Sequence, residues 1–260
     1  LTAPELLAFG QELGDRFVAI VGEPDTGGWL RAEELFGAGL PTALLAVGRR
    51  RGTDSAAVAG VLLFEQYAQR LVAPALAALL RDHAVLDVRP AVVRVELVDG
   101  AIRRLAFTRA PEPTEGDPEE THARVARALL AGHLDGVAEA VRIRTRVGSR
   151  LLRGSIANAI ANALLHMSWP DRVRDRHVPD ARRFLARGAD LAGLVTVESV
   201  RIGGEAWMYT DRNTCCLAFR TTINQARDQH YCTTCPVVPR SDTRALFAEA
   251  TASYSARHPR

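Results

Sequence analysis

The sequence predicts a helix-rich, mixed α+β fold, and three observations carry that expectation. Long stretches repeat apolar residues at helical spacing, as in Ser55 to Asp82. Two shorter stretches alternate around the turn-forming pairs Asp99-Gly100 and Gly203-Gly204 and read as β-hairpins. All four cysteines fall late, from Cys215 to Cys235, directly after the second hairpin, and read as a separate C-terminal loop.

Taken in order, Thr2 to Gly14 reads as a capped helix, with Thr2 at the cap, Pro4 in the first turn and Glu5 at the third helical position. Arg16 to Gly22 reads as a short strand. Glu23 to Gly52 is rich in glycine and proline and is expected to be loops with one short helix. In the helix over Ser55 to Asp82, Val58, Leu62, Tyr67 and Leu71 recur on one side, and Pro74 is expected to kink or split it. Ala91 to Thr108 is the first hairpin. Arg109 to Glu120 is turn-rich and marks the expected boundary between an N-terminal α/β lobe over 1–110 and a C-terminal helical lobe over 117–260, unless both form one compact domain. Asp117 to Gly132 and Asp135 to Met167 read as two helices, the second stopped by Trp169-Pro170. Val195 to Thr210 is the second hairpin. Ser241 to Arg257 closes the chain as a helix capped by Ser241.

Composition excludes several classes. The 260 residues are 47% apolar and 24% charged, ordinary for a soluble globular protein. The longest apolar runs, Ala56 to Phe64 and Leu71 to Leu80, fall short of the roughly 20 residues that span a bilayer. No basic stretch followed by an apolar one opens the sequence, so no secretory signal is expected. All 33 basic residues are arginine, and net charge is only +3, with no basic stripe interleaved with aromatics. Nucleic acid is therefore not an expected partner.

The cysteines are spaced C-C-x15-C-x2-C, at Cys215, Cys216, Cys232 and Cys235. Clustering on this scale is hard to explain as core packing. The Cys232-x-x-Cys235 turn lets two thiolates face one metal, and Pro236 ends any regular structure there. Three chemistries fit four nearby thiols: a tetrahedral zinc, a [2Fe–2S] cluster, and disulfides or redox thiols. Adjacent cysteines suit the two-knuckle zinc pattern poorly, because neighbouring side chains in an extended chain point to opposite sides. A dinuclear cluster offers more separated ligand positions.

The run from Arg212 through Cys215-Cys216-Leu-Ala-Phe-Arg to Cys232-x-x-Cys235-Pro resembles the C-terminal signature of FhuF-type ferric-siderophore reductases, usually C-C-x10-C-x2-C with an arginine shortly before the first cysteine. Phe64 to Leu79 is similar to the family's Tyr…Arg-Leu…Pro helix, and Leu152 to Leu164 to its Gly…Asn-Ala helix. Ala218 replaces a usual aromatic, and fifteen residues rather than ten separate Cys216 from Cys232. The resemblance implies a [2Fe–2S] cluster on Cys215, Cys216, Cys232 and Cys235. It also implies an oxidoreductase that reduces siderophore-bound Fe(III) by one electron, so that hard oxygen donors release Fe(II). The expected place is the cytoplasm, free or peripheral to the inner face of the membrane.

Other residues carry weaker signals. No G-x-G-x-x-G follows a strand and there is no P-loop, so electrons are expected from a separate ferredoxin or NAD(P)H-dependent reductase. Arg142, Arg146, Arg150 and Arg153 would line one helix face; Arg146 and Arg150, with Arg212, are the candidate contacts to an anionic siderophore, against a plain solvated arginine face. Asn158 and Asn162, one turn apart, are expected to bridge a packed interface. His230, beside Cys232, is expected to lie outside the ligand set. The rival reading is a non-enzymatic binding module stapled by a four-cysteine zinc site; a siderophore-binding relative is a third.

Overall fold

The computed structural model describes residues 12–24, 27–228 and 230–258. The expected helix from Thr2 to Gly14 falls almost wholly outside them. The organising element is a 25-residue helix, Ala56–Leu80, preceded by two shorter ones, Ala32–Phe36 and Leu40–Arg51. We number these α1 (Ala32–Phe36), α2 (Leu40–Arg51) and α3 (Ala56–Leu80). Ser55 caps α3, its Oγ accepting from the Val58 N–H at 3.4 Å. Pro74 does not split the helix. It removes one internal hydrogen bond, but every residue from Leu71 to Leu79 is buried, and this packing holds the helix together through it.

A four-stranded sheet lies against α3, with strands β1 (Ala19–Val21), β2 (Trp29–Arg31), β4 (Val93–Val98) and β5 (Ala101–Phe107) in the order β1-β5-β4-β2. β1 runs parallel to β5, while the β4–β5 and β2–β4 pairs are antiparallel. The β4–β5 turn has positive φ at both Asp99 and Gly100, the backbone that the Asp-Gly pair favours. Gln66 on α3 accepts the Ile102 N–H at 2.7 Å and pins β5 to the helix. The turn-rich stretch after β5 contributes β6 (Glu112–Pro113), paired with β3 (Ala84–Val85), and then Asp117, which caps the next helix.

That helix, α4 (Pro118–Leu129), runs through a π-turn at Leu130–Leu134 into α5 (Asp135–Thr145). The predicted single helix over Asp135 to Met167 is broken. Arg146 adopts φ 57°, and α6 (Ser149–Ser168) starts afresh after Gly148. Packing of α6 along α3 forms the core, and the two helices run the same way: Glu65 meets Ser155 and Asn158, and Arg81, just past α3, meets Met167 near the end of α6. The short helix α7 (Val178–Ala186) leads to the second hairpin, β7 (Val195–Ile202) and β8 (Glu205–Arg212), with positive φ at Gly203 and Gly204. A four-residue helix, α8 (Thr222–Gln225), interrupts the cysteine segment. The closing helix, α9 (Arg240–Arg257), begins at Pro239 as cap. Ser241 lies inside its first turn and bonds Asp242, so it is not the cap. Trp169 docks this helix edge-on, with ring centroids 5.0 Å from Tyr254 and 5.6 Å from Trp207.

The stretch from Glu23 to Gly52 departs furthest from expectation, since it holds β2, α1 and the twelve-residue α2 rather than one short helix among loops. Leu40, Ala43, Leu44 and Val47 are buried at spacings of three and four, so burial of one face overrides the glycine and proline content.

His133 sits in the π-turn and is 1% exposed. Its Nε2 accepts from the Tyr67 hydroxyl at 2.7 Å, and its Nδ1–H donates to the Val88 carbonyl. The neutral ring is fully partnered, and burial lowers its pKa to about 4. Burial and the Arg16 charge likewise hold His166 at about 4. Because both folded values lie below the unfolded one, the stabilisation is complete above about pH 6.5 and is lost as pH falls towards 4, by about 3 kcal/mol for each ring. Urea unfolding from pH 7 to 4 should show this loss. A His133→Gln variant should be less stable at pH 7 and lose about half of the slope in that window.

Candidate functional site

The end of β8 delivers the chain to Asn213, Thr214 and the cysteine pair. Two close approaches fix this path. A Cβ added at Gly154 on α6 would lie 1.8 Å from Thr214 Oγ1, and one at Gly52 would lie 1.9 Å from Thr222 Oγ1. Only glycine lets the segment settle so closely against α6 and against the end of α2. Thr222 N–H also donates to the Gly52 carbonyl at 3.1 Å.

Leu217 has φ 62°, an uncommon backbone for leucine that turns its N–H back onto Cys215 Sγ at 3.3 Å. The Ala218 N–H points at the Cys216 sulfur. The segment between Cys216 and Cys232 is tied down from several sides. Thr221 caps α8, and Asn224 Oδ1 accepts from Arg51 at 3.4 Å. His230 Nδ1–H donates to the Asn224 carbonyl at 3.2 Å, so His230 secures the loop instead of facing the sulfurs with that nitrogen. The Cys232-x-x-Cys235 turn closes with the Cys235 N–H on the Cys232 carbonyl at 3.0 Å.

All four cysteines are free thiols. Cys216 and Cys235 are buried, Cys215 is half-buried and Cys232 is exposed. Cys232 donates its S–H to the Cys216 sulfur, which lowers the Cys216 pKa to about 7 and raises that of Cys232. Burial raises Cys215, which also senses Cys216 and Cys235. The sulfurs thus share one neighbourhood without meeting at a point. Among the described residues no set of three or more His, Cys, Asp or Glu side chains converges closely enough to hold a single ion.

Behind the sulfurs stands Arg212, 4% exposed. Its guanidinium binds Glu65 of α3 through two hydrogen bonds of 2.5 and 3.0 Å, and its Nε donates to the Thr214 carbonyl at 3.1 Å. Burial alone would weaken the cation, but Glu65 outweighs it and Cys216 and Cys232 add to the effect, so the Arg212 pKa rises. Asn158 and Ser155 of α6 donate to the Glu65 oxygens at 3.4 and 3.5 Å, and Asn162 donates to Asn158 at 3.1 Å. The expected bridging role of the two asparagines therefore has a definite object, the Glu65 carboxylate. Glu65 itself is absent from the sequence reading, although it is the one acidic residue in the apolar stretch Ala56–Leu80. Its isolation there was the available signal. Arg212, Glu65, Cys216 and Cys232 line a common cavity of about 320 Å³.

The other two arginines singled out by sequence are placed differently. Arg146 is the left-handed cap of α5, and Arg150 is exposed in the first turn of α6. Neither lines this cavity or the larger one bounded by Arg49, Arg144 and Arg220. The continuous arginine face does not form, because the break at Arg146 takes α5 and α6 out of register. Arg142 pairs with Glu139, and Arg153 with Asp135 and Asp190.

The fold and site define a helix-rich α+β protein with four free cysteines in one late segment and a buried ion pair beside them. The family described as "Ferric iron reductase FhuF-like transporter" matches residues 61–198, more than half of the chain, and the chain belongs to that family. The matched span includes Glu65, Asn158 and Asn162 and stops short of Arg212 and the cysteines. None of the curated proteins matches the chain. Among the described residues, no helix is long and apolar enough to cross a membrane.

Removing either partner of the Glu65–Arg212 pair leaves a buried charge alone. Arg212→Leu or Glu65→Leu should each cost about 3–5 kcal/mol. The double variant should recover much of that loss, giving a strongly non-additive cycle in urea denaturation.

Proposed function

We propose that the chain is a ferric-siderophore reductase that holds a [2Fe–2S] cluster on Cys215, Cys216, Cys232 and Cys235. The observation that carries this reading is the buried Arg212–Glu65 pair set against the sulfurs of a chain whose family is described as a ferric iron reductase. The donor set fits. A mononuclear zinc needs four sulfurs around one point, whereas a two-iron centre takes two thiolates at each iron. The four free thiols match a two-iron centre in number and type, and Cys216 and Cys232 interact sulfur to sulfur.

Bound there, the cluster supplies single electrons, which is what converting siderophore-bound Fe(III) to Fe(II) consumes. The remaining work falls to the chain. Arg212 offsets the negative charge of the thiolates, while Glu65 and the Thr214 carbonyl hold its guanidinium in one orientation. The amides of Leu217 and Ala218 donate to sulfur, which favours the thiolate form. The exposed Cys232 marks the edge of the thiol set nearest solvent. Each Fe(III) reduced requires one electron from outside the chain, from a reduced ferredoxin or an NAD(P)H-dependent reductase. The proposed compartment is the cytoplasm.

Metal analysis of anaerobically purified protein tests this. About two irons and two acid-labile sulfides per chain are expected, with a visible absorbance bleached by dithionite. Cys215→Ser and Cys235→Ser should each remove the colour. Reduced protein mixed with a ferric tris-hydroxamate should reoxidise and release iron to a ferrous chelator. Colourless protein with one zinc would instead support the stapled binding module and end the reductase reading.

A further inference from the structure

A second cavity, of about 780 Å³, lies where the end of α2 and the start of α3 meet the cysteine segment. Its size suits a small-molecule ligand; such pockets commonly run from about 300 to 1,000 Å³. Three arginines from three separate parts of the chain line it: Arg49 on α2, Arg144 on α5 and Arg220 between the two cysteine pairs. Each is exposed, and none forms a salt bridge among the described residues. Among the described residues, Asp54 is the single carboxylate in the wall. Pro41 and Leu45 add an apolar side, and Leu45 is 66% exposed. Three uncompensated cations around an amphiphilic cleft form a receptor for a multiply charged anion with some hydrocarbon surface.

The cleft is joined to the sulfurs. Thr222, in its wall, hydrogen-bonds the Gly52 carbonyl, and Arg51, next to Gly52, senses the Cys216 charge. An occupant would therefore rest against the same loop that carries Cys216 and Cys232.

We propose that this cleft is the substrate site and that it selects net-anionic ferric chelates, of the tris-catecholate or carboxylate kind, over neutral tris-hydroxamates. The site deepens the reductase reading and rests on it for the identity of the metal. The arginine charge could also meet an acidic electron-donor protein, but a cleft of about 780 Å³ with cations from three chain segments around one volume and Pro41 and Leu45 beside them favours a small molecule.

Gallium(III) complexes separate the two questions, because gallium mimics Fe(III) and does not accept an electron under these conditions. Calorimetry on the full chain should show trianionic gallium tris-catecholate binding at least about tenfold tighter than a neutral gallium tris-hydroxamate at low salt. The preference should shrink as ionic strength rises. Arg49→Ala, Arg144→Ala and Arg220→Ala should each weaken tris-catecholate binding by about tenfold and leave tris-hydroxamate binding unchanged. Arg144→Glu should weaken it further, with an unchanged circular dichroism spectrum confirming the fold. Equal affinity for the two complexes, or variants that bind tris-catecholate like the parent, would overturn the assignment. If the variants instead slow only reduction by an acidic protein donor, the face belongs to that donor and the proposal is also overturned. Anionic binding by a protein that proves to lack iron and sulfide would leave this site standing while the reductase reading falls.

Discussion

The contact on which the site depends is the buried ion pair between Glu65 and Arg212. A carboxylate in the middle of an apolar helix is unstable there unless its charge is met. Here it is met by a guanidinium in a two-bond fork, and Gln69, Ser155 and Asn158 also donate to its oxygens. The pair binds the central helix to the last strand before the cysteines. It also leaves a cation at the back of the sulfurs whose position is set by three hydrogen bonds to Glu65 and Thr214 rather than by solvent. The geometry of the thiols therefore follows from the packing of the core helices, α3 on α6, and not only from the loop in which they lie.

Much of this was legible in the residues. Asp99-Gly100 and Gly203-Gly204 mark their turns because both positions need a backbone that few residues adopt without strain, so the signal is local. The long helix over Ala56–Leu80 follows from apolar spacing, and the thiol cluster from simple proximity in sequence. What was illegible depends on distant partners. α2 hides among glycine and proline because its buried face is defined by elements that come later in the chain. The break at Arg146 puts a non-glycine residue in the left-handed region, and no local rule marks arginine for that place. Helical spacing therefore extended a single arginine face across a corner. Glu65 belongs to the same class, since nothing within one turn of it names Arg212.

The structure joins regions that differ in how strongly they show kinship. Residues 61–198 carry the family match and supply Glu65, Ser155, Asn158 and the helix on which Thr214 rests. The cysteine segment beyond them carries five more residues between its pairs than the usual signature. That added length is ordered by α8, by its Thr221 cap and by hydrogen bonds to Arg51 and Gly52. The longer loop thereby forms one wall of the arginine-lined cleft, which gives the departure from the usual spacing a structural use.

The ion pair also bears on how the chain is made. Glu65 and Arg212 are separated by 147 positions. At typical translation rates of about 5–20 residues per second, many seconds pass between the emergence of the acid and that of its counter-charge. Throughout that interval the nascent apolar helix carries a carboxylate with no mate, which discourages premature burial against the wrong neighbour. Completion of the interior thus waits for the strand that carries Arg212, and the thiols arrive only a few residues after the arginine that closes it.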